Sequence, residues 1–561
     1  MNRLPLLALL VACAPGVGPV DETAPPLLED LDPAAGRFEG VITAAPATLD
    51  RTGEPVTFLA FNGAVPGPQI RVQQGDEVAI RFSNELPAGE GWGSGVHWHG
   101  IEGYNASDGT PLTQPATMTG EHFDYRFTAS RAGVFWYHPH VRGAQALFSG
   151  LYAPLIVEDP AEAELINRGI LPADDRVLVL SDTWTTRGIV TSAEVSNAME
   201  IMNGTEGRDL LVNGHVNPVL DVTAGAAVRL RLINASITRF WRLSVPGQIL
   251  YRVGGEGGLL DEVRVEGGTT TGERFDPLTG EVLGQVEVDL GFPRGELVLA
   301  PGERADVVLV TDGEPGEAWS LRWEDTARGR HDMWMDGDEM VMGDAADDGA
   351  RPGQEVARFR LVEGEAEPFS IAEGDPLLRA VGRSVGRVDD SAAVAWYGQD
   401  GTTLEEQMDH VRDDDGAWQM TTWFGMNGHA WHPDHMSGPS QPEAPSARHA
   451  RLGETLRWEV RNDSMMAHPF HLHGFSYQPY ALVRWPHEGE HEQVDDAAIR
   501  TSWTFDELED TTLLPPFSSL FLRVTLADPA GDGSATGRWV QHCHILQHGE
   551  NGMMSELIVS P

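Results

Sequence analysis

Apolar and polar residues alternate in short runs along most of this chain. Three runs show the pattern plainly: VAIRFS after Gly75, VRLRLI after Gly225 and LRWEV after Gly453. A period of two puts successive side chains on opposite faces, so each run predicts a half-buried strand. Strong helical periodicity is scarce. The runs also recur in one frame. Asn62-Gly63 in FNGAVPGPQIRV, Asn213-Gly214 in LVNGHVNPVLDV and Asn427-Gly428 in GMNGHAWHPD each precede one, the third after an insertion. Each run closes on an asparagine (Asn84, Asn234, Asn462) nine residues after its glycine. Asn-Gly and the single glycines mark turns. A second echo aligns GVFWYHPH (133–140) with GRWVQHCH (537–544), each running on to a hydrophobic strand in LYAPLIVED and SELIVS. The expected fold is all-β, with three consecutive Greek-key β-sandwiches over 37–160, 161–365 and 415–561. The weakly patterned acidic stretch from about 344 to 420 contains the link between the second and third, expected at 366–414. A chain of 561 residues is too long for one ordinary core and fits that count.

Charge narrows the partners. The formal net charge is -46, and no lysine occurs, so arginine is the only strong cation. A surface this acidic argues against nucleic acid or an anionic lipid face and draws cations instead. Without lysine there is no Schiff-base or phosphate-loop chemistry. The two cysteines, Cys13 and Cys543, define no disulfide framework. Cys13 closes LVAC after the apolar run LPLLALLVA, with Arg3 ahead of it. This reads as an export signal, too short to span a bilayer. LVAC resembles the bacterial lipobox. That likeness implies a signal over 1–13, lipid on Cys13, a Pro- and acid-rich tether over 14–36, and a place in the cell envelope or periplasm. Membrane contact is expected through that lipid alone, and the protein is expected to be a monomer. With Cys13 lipidated, Cys543 has no disulfide partner in an oxidising compartment, and a metal gives it a reason to be there.

Four His-x-His pairs supply the chemistry: His97/His99 in HWHG, His138/His140 in HPH, His471/His473 in HLHG and His542/His544 in HCH. On a strand, residues two apart share a face, so each pair aims two imidazoles at one place. One such pair is weak. Four, two in the first repeat and two at corresponding places in the third, are hard to explain as packing. Neutral imidazole suits copper, zinc, iron or nickel. In HCH the alternation sends Cys543 to one face and both neighbours to the other. The cysteine can then serve one metal and its neighbours a second, joined by a short covalent path. His548 and Met553 follow, and His468 precedes His471 in HPFHLHG on a different face. Cysteine, two histidines and a weak axial methionine form a blue-copper ligand set.

Together the motifs H-x-H-G, H-x-H, H-x-x-H-x-H and H-C-H-x-x-x-H-x-x-x-x-M resemble those of multicopper oxidases with three cupredoxin domains, and the resemblance covers nearly the whole mature chain. It implies cupredoxin-like sandwiches and four copper ions. His468, Cys543 and His548 would bind the type 1 copper with Met553 axial. His97 and His471 would bind type 2, and His99, His138, His140, His473, His542 and His544 the type 3 pair. Pro139 stands where Cys543 stands in the third repeat, so the first would lack a blue site. The implied activity takes electrons singly from a small reductant at type 1 and reduces dioxygen to water at the cluster. Met553 as axial ligand implies a modest type 1 potential. Asp108 matches a family aspartate that helps deliver protons. Many bacterial relatives carry glutamate directly after the last type 1 histidine; here Gly549 stands there and Glu550 follows, as a shifted proton-relay candidate.

The reductant is less legible. Relatives oxidise phenols and aromatic amines, or ions such as Cu(I), Fe(II) and Mn(II). HDMWMDGDEMVMGD sets Met333, Met335, Met340 and Met342 among acids, and soft thioethers favour Cu(I). GHAWHPDHM adds His429, His432, His435 and Met436. The alternative for both is an ordinary strand or loop. Two other classes stay in view. A non-catalytic envelope protein that binds or sequesters copper would need a dead cluster, yet every ligand position is filled. A two-domain copper nitrite reductase is opposed by the third repeat.

Overall fold

Each alternating run is a strand, and the asparagines that frame it show why the three share a frame. Asn62, Asn213 and Asn427 adopt positive φ of 49°, 51° and 54° ahead of glycines at 76°, 74° and 76°. The side-chain oxygens of these asparagines accept the N–H of Thr43, Val179 and Thr403 at 2.6, 2.7 and 2.8 Å, clamping each turn to the neighbouring strand. The closing asparagines repeat a second device. Asn84, Asn234 and Asn462 are buried, and each accepts the N–H two residues on, from Leu86, Ser236 and Ser464. Their amide groups donate to Thr117, Leu299 and Leu514 carbonyls. A buried amide so satisfied stabilises one particular turn.

This is a computed structural model. It describes residues 23–51, 53–87, 93–191, 194–195, 198–326, 328–329, 333–336, 339–342, 351–412, 418–432, 440–486, 497–503 and 506–561. Cys13, His435 and Met436 lie outside the described residues. No helix among the described residues is long and apolar enough to cross a membrane.

In the first sandwich, one sheet runs Pro55–Phe61, Arg37–Asp50, Glu77–Asn84, His122–Thr128, and the other runs Ile70–Gln73, Ala153–Glu158, Gly133–His138, His97–His99. Ile42, Phe61, Ile80, Phe82, Trp98 and Tyr137 fill the space between them. The second packs a six-stranded sheet on a five-stranded one around Leu230, Trp241, Trp323 and Phe359. The third sets a five-stranded sheet against a larger one around Trp458, Phe470, Tyr477 and Cys543. In the five-stranded sheet His468–Leu472 lies between Gly537–Cys543 and Thr511–Leu514.

Two segments differ from the sequence expectation. The stretch 366–414, expected as a linker, carries strands of the third sandwich. Val394–Trp396 pairs with Leu456–Trp458, and Thr402–Arg412 pairs with both Val460–Asn462 and Trp418–Met426. The charges at Glu405, Glu406, Asp409 and Arg412 broke up the alternation that would have marked it. The hairpin Thr269–Phe275/Val282–Asp289 rises from within the second repeat but adds to the third sandwich's larger sheet by pairing with Ala498–Ser502. The methionine-rich stretch is a separate hairpin, Met333–Asp336 against Glu339–Met342, with Met333 opposite Met342 and Met335 opposite Met340.

Candidate metal centres

Strand alternation sorts the histidines into two places. Trp98 points into the first core, so His97 and His99 point out of that sandwich. Phe135 and Tyr137 fill the same core, leaving His138 with the outer set. In the third sandwich Phe470, Leu472 and Cys543 face inward. His468 shares their parity, whereas His471, His473, His542 and His544 take the opposite face. The ladders hold the registers, with His97 opposite His138 and His471 opposite His542. One histidine set therefore lies between the first and third sandwiches, and the other at the edge of the third core.

The outer set forms three groups: His97/His99/His471, His99/His138/His544 and His140/His473/His542. Within each, the candidate ligand atoms lie within 4.8 Å of one another. The His97 and His473 rings stack at 3.9 Å, as do those of His99 and His471 at 3.8 Å. Burial drives the His99, His138, His140, His473, His542 and His544 imidazoles well below their usual pKa, and neighbouring imidazoles add to this, so all six are neutral. His471 is lowered too, again first by burial.

Hydrogen bonds fix which nitrogen each ring presents. His97 Nδ1–H donates to Asp108 O at 2.8 Å, His138 to Pro139 O at 3.0 Å, His471 to Asp510 O at 2.9 Å and His542 to Cys543 O at 2.9 Å. His473 Nδ1–H donates to the Asp108 carboxylate at 3.1 Å. The buried Nε2 atoms of His97, His138 and His471, Nδ1 of His99 and both ring nitrogens of His544 have no hydrogen-bond partner. A buried ring nitrogen without a partner is costly, and several aimed at shared points are what metal ions satisfy. The donor set, neutral nitrogen throughout, fits copper.

The inner set is His468, Cys543 and His548, all buried. Cys543 Sγ lies 3.4 Å from His468 Nδ1 and 3.9 Å from His548 Nδ1, and the two nitrogens are 3.2 Å apart. Their far nitrogens are tethered, His468 Nε2–H to Ser464 Oγ at 2.8 Å and His548 Nε2–H to Met202 O at 3.0 Å. Phe424 stacks on His548 at 4.5 Å. Burial pushes the Cys543 thiol far above its ordinary value. Met553 is buried in the same apolar cluster, and its carbonyl accepts Cys543 N–H at 3.0 Å. Two soft sulfurs and two imidazoles fit copper here as well.

Asp108 is buried between His97 and His473, with Thr110 Oγ–H donating to its Oδ2 at 2.9 Å. Glu550 is exposed, and its Oε1 accepts Ala144 N–H at 3.1 Å, just past the His138/His140 pair. The methionine hairpin forms a two-stranded sheet of its own. The chain leading into it passes Arg328, whose carbonyl accepts Ala467 N–H at 2.7 Å, one residue before His468. His429 and His432 are exposed near a turn. Sequence reasoning missed Asp510, Arg304, Glu256, Ser464 and the Met202 carbonyl. Asp510 and Arg304 are 206 residues apart, in stretches with no motif, and no spacing rule could have joined them.

Family models described as multicopper oxidase match residues 43–162 and 414–561. The chain is 27% identical to a copper resistance protein A homolog of Pseudomonas syringae, over 92% of each chain. It is 26% identical to the multicopper oxidase MmcO of Mycobacterium tuberculosis, over 94% of this chain and 88% of the other. Its fold is similar to that of a solved multicopper oxidase of Campylobacter jejuni, described as a metallo-oxidase. That likeness has a TM-score of 0.67 at 22% identity, and covers 96% of this chain and 94% of the other.

Proposed function

This chain belongs to the multicopper oxidase family, and from that premise we propose which residues hold its copper and which reductant it serves. His468, Cys543, His548 and Met553 would hold the type 1 copper. His97 and His471 would hold type 2, and His99, His138, His140, His473, His542 and His544 the type 3 pair, making four ions in all. The observation that carries this reading is the set of buried, neutral, partnerless imidazole nitrogens converging between two sandwiches, one residue away from a buried Cys–His–His set. When bound, copper supplies one-electron acceptance from a reductant at the cysteine site and four-electron reduction of dioxygen to water at the cluster.

The chain's own residues do the rest. His542-Cys543-His544 is the covalent bridge between the two sets. The Cys543 thiol gives up its proton on ligation, so copper loading releases protons. Asp108 holds His473 and His97 in place and can pass a proton along its Thr110 contact. Glu550 is the second proton-relay candidate, from the surface side.

The reductant we favour is Cu(I) or another small metal ion. Two observations support it: the charge of -46, and the register of Met333, Met335, Met340 and Met342 on one hairpin that follows Arg328, whose carbonyl accepts Ala467 N–H next to His468. Oxygen uptake by the copper-loaded protein tests this, with Cu(I), Fe(II) and a dimethoxyphenol side by side, repeated with the four methionines changed to serine. Fast Cu(I) turnover that collapses in the variant is the expected result. Phenol turnover indifferent to the change makes the protein a laccase instead. No uptake despite full copper leaves a copper-sequestering protein. Export with lipid on Cys13 is part of the same reading, and fatty-acid labelling lost in Cys13→Ala tests it.

A further inference from the structure

Among the described residues the second sandwich gives no ligand to either histidine set, yet one of its side chains holds Asp510, the aspartate bonded to two of the cluster's imidazoles. Arg304 opens the strand Arg304–Thr311 and is fully buried. Its Nη1 and Nη2 donate to Asp510 Oδ1 and Oδ2 at 2.7 and 2.6 Å, the two-pronged match of guanidinium to carboxylate. Its Nε donates to Val134 O of the first sandwich at 2.8 Å. Glu256, also from the second, closes the arrangement. Its Oε1 lies 3.2 Å from Arg304 Nη1, and its Oε2 accepts the N–H of Asp510 and Thr511 at 2.7 and 3.0 Å. Asp510 is therefore gripped at side chain and backbone where the three sandwiches meet.

What Asp510 then does is specific to two imidazoles. Its Oδ1 accepts His99 Nε2–H at 2.9 Å, and its carbonyl accepts His471 Nδ1–H at 2.9 Å. His99 is left presenting Nδ1 and His471 presenting Nε2, both partnerless. His97 and His138 likewise present Nε2, so His99 is turned the other way. The nitrogen a histidine offers is set by what its other nitrogen holds.

We propose that Arg304 is a positioning residue for the cluster: by holding both oxygens of Asp510 it keeps His99 with Nδ1 toward the metal. This rests on the copper-cluster reading above. A mere tie between sandwiches would need one bond anywhere along the interface. Here both prongs go to the carboxylate that holds His99, and Gly100 keeps the space clear. At φ +92°, a Cβ on Gly100 would come within 2.7 Å of Asp510 Oδ2 and 2.8 Å of Arg304 Nη2.

The test uses the full copper-loaded chain and compares Arg304→Gln, Arg304→Lys, Asp510→Asn and the double variant Arg304→Gln/Asp510→Asn. Copper per chain, blue absorption and the paramagnetic resonance spectrum are read for each. Arg304→Gln should keep the blue absorption of the Cys543 site while cluster copper affinity falls tenfold or more and the resonance of the remaining copper shifts. Lysine, a point charge able to hold one oxygen, should restore part of it. The double variant should be no worse than either single one, since both break one arrangement. Full copper and an unchanged resonance in Arg304→Gln, with only a lower Tm, would overturn the proposal. If that variant does not fold, Asp510→Asn carries the test, and unchanged copper and resonance there overturn it equally. A parent protein that loads copper only at Cys543 would instead sink the cluster reading, and this inference with it.

Discussion

At the scale of single residues, the two centres depend on side chains whose alternatives are chemically distinct. Cys543→Ser replaces a soft thiolate with a hydroxyl that stays protonated, so blue absorption and turnover should both vanish while the histidine cluster still takes up copper. A variant that stays blue would remove Cys543 from the centre. Asp108→Asn keeps volume and one acceptor oxygen but cannot carry a proton. Turnover should fall by about a hundredfold or more with copper content held, the ordinary worth of a placed proton donor. Equal loss of copper and rate would assign Asp108 to holding His473 alone. The glycines of the two H-x-H-G motifs have a physical reason as well. Gly474 has φ +73°, and a Cβ there would sit 2.3 Å from the Trp539 ring. Gly474→Ala should cost about 1–3 kcal/mol through overpacking, read as a lower Tm.

At the scale of elements, the sequence carried a good deal, and the reason is periodicity. A period-two run with an asparagine nine residues after its glycine encodes one strand and its two turns, so three copies announce three sandwiches. The same alternation sorted Cys543 from His542 and His544, because side-chain direction on a strand follows from parity alone. What escaped was everything fixed by contacts between distant elements. Thr402–Arg412 hid because its charges broke the pattern. The hairpin 269–289 pairs with Ala498–Ser502, more than two hundred residues on, and no local signal marks that partner. Asp510, Arg304 and Glu256 are invisible for the same cause. The hairpin offers a check on its own role. Replacing 269–289 with a tight turn should leave Ala498–Ser502 an edge strand, so amide exchange there should speed up while copper content and turnover hold. Protection that persists would mean the pairing adds nothing to that edge.

At the scale of the whole molecule, charge acts at long range and buried pairs act at the seams. With a net charge of -46, encounter with a cationic reductant should be steered. Raising salt from low to physiological ionic strength should lower kcat/KM for Cu(I) or Fe(II) and leave a neutral phenol unaffected. Equal sensitivity for both would remove steering from the account. The seam between the first and second sandwiches holds a different charge device. Asp175 accepts Arg231 Nε and Nη2 at 2.9 and 2.8 Å and also takes Arg71 from the first sandwich. Burial opposes its ionisation, but Arg231, Arg229 and Arg71 outweigh that and hold its carboxyl far below the usual carboxylate range. A carboxyl depressed on folding binds fewer protons in the native state than in the unfolded one. Its stabilisation is therefore complete above the unfolded value near pH 4 and drains away as pH falls toward the folded one. Asp175→Asn should cost about 1.5–3 kcal/mol at neutral pH, the worth of a charge-assisted hydrogen bond. The gap between parent and variant should stay level from neutral pH down to about pH 4 and shrink below it. Thermal unfolding of both across that range decides it. A gap that does not change below pH 4 would mean that what Asp175 contributes at this seam is packing, and that its charge is not what holds the two sandwiches together.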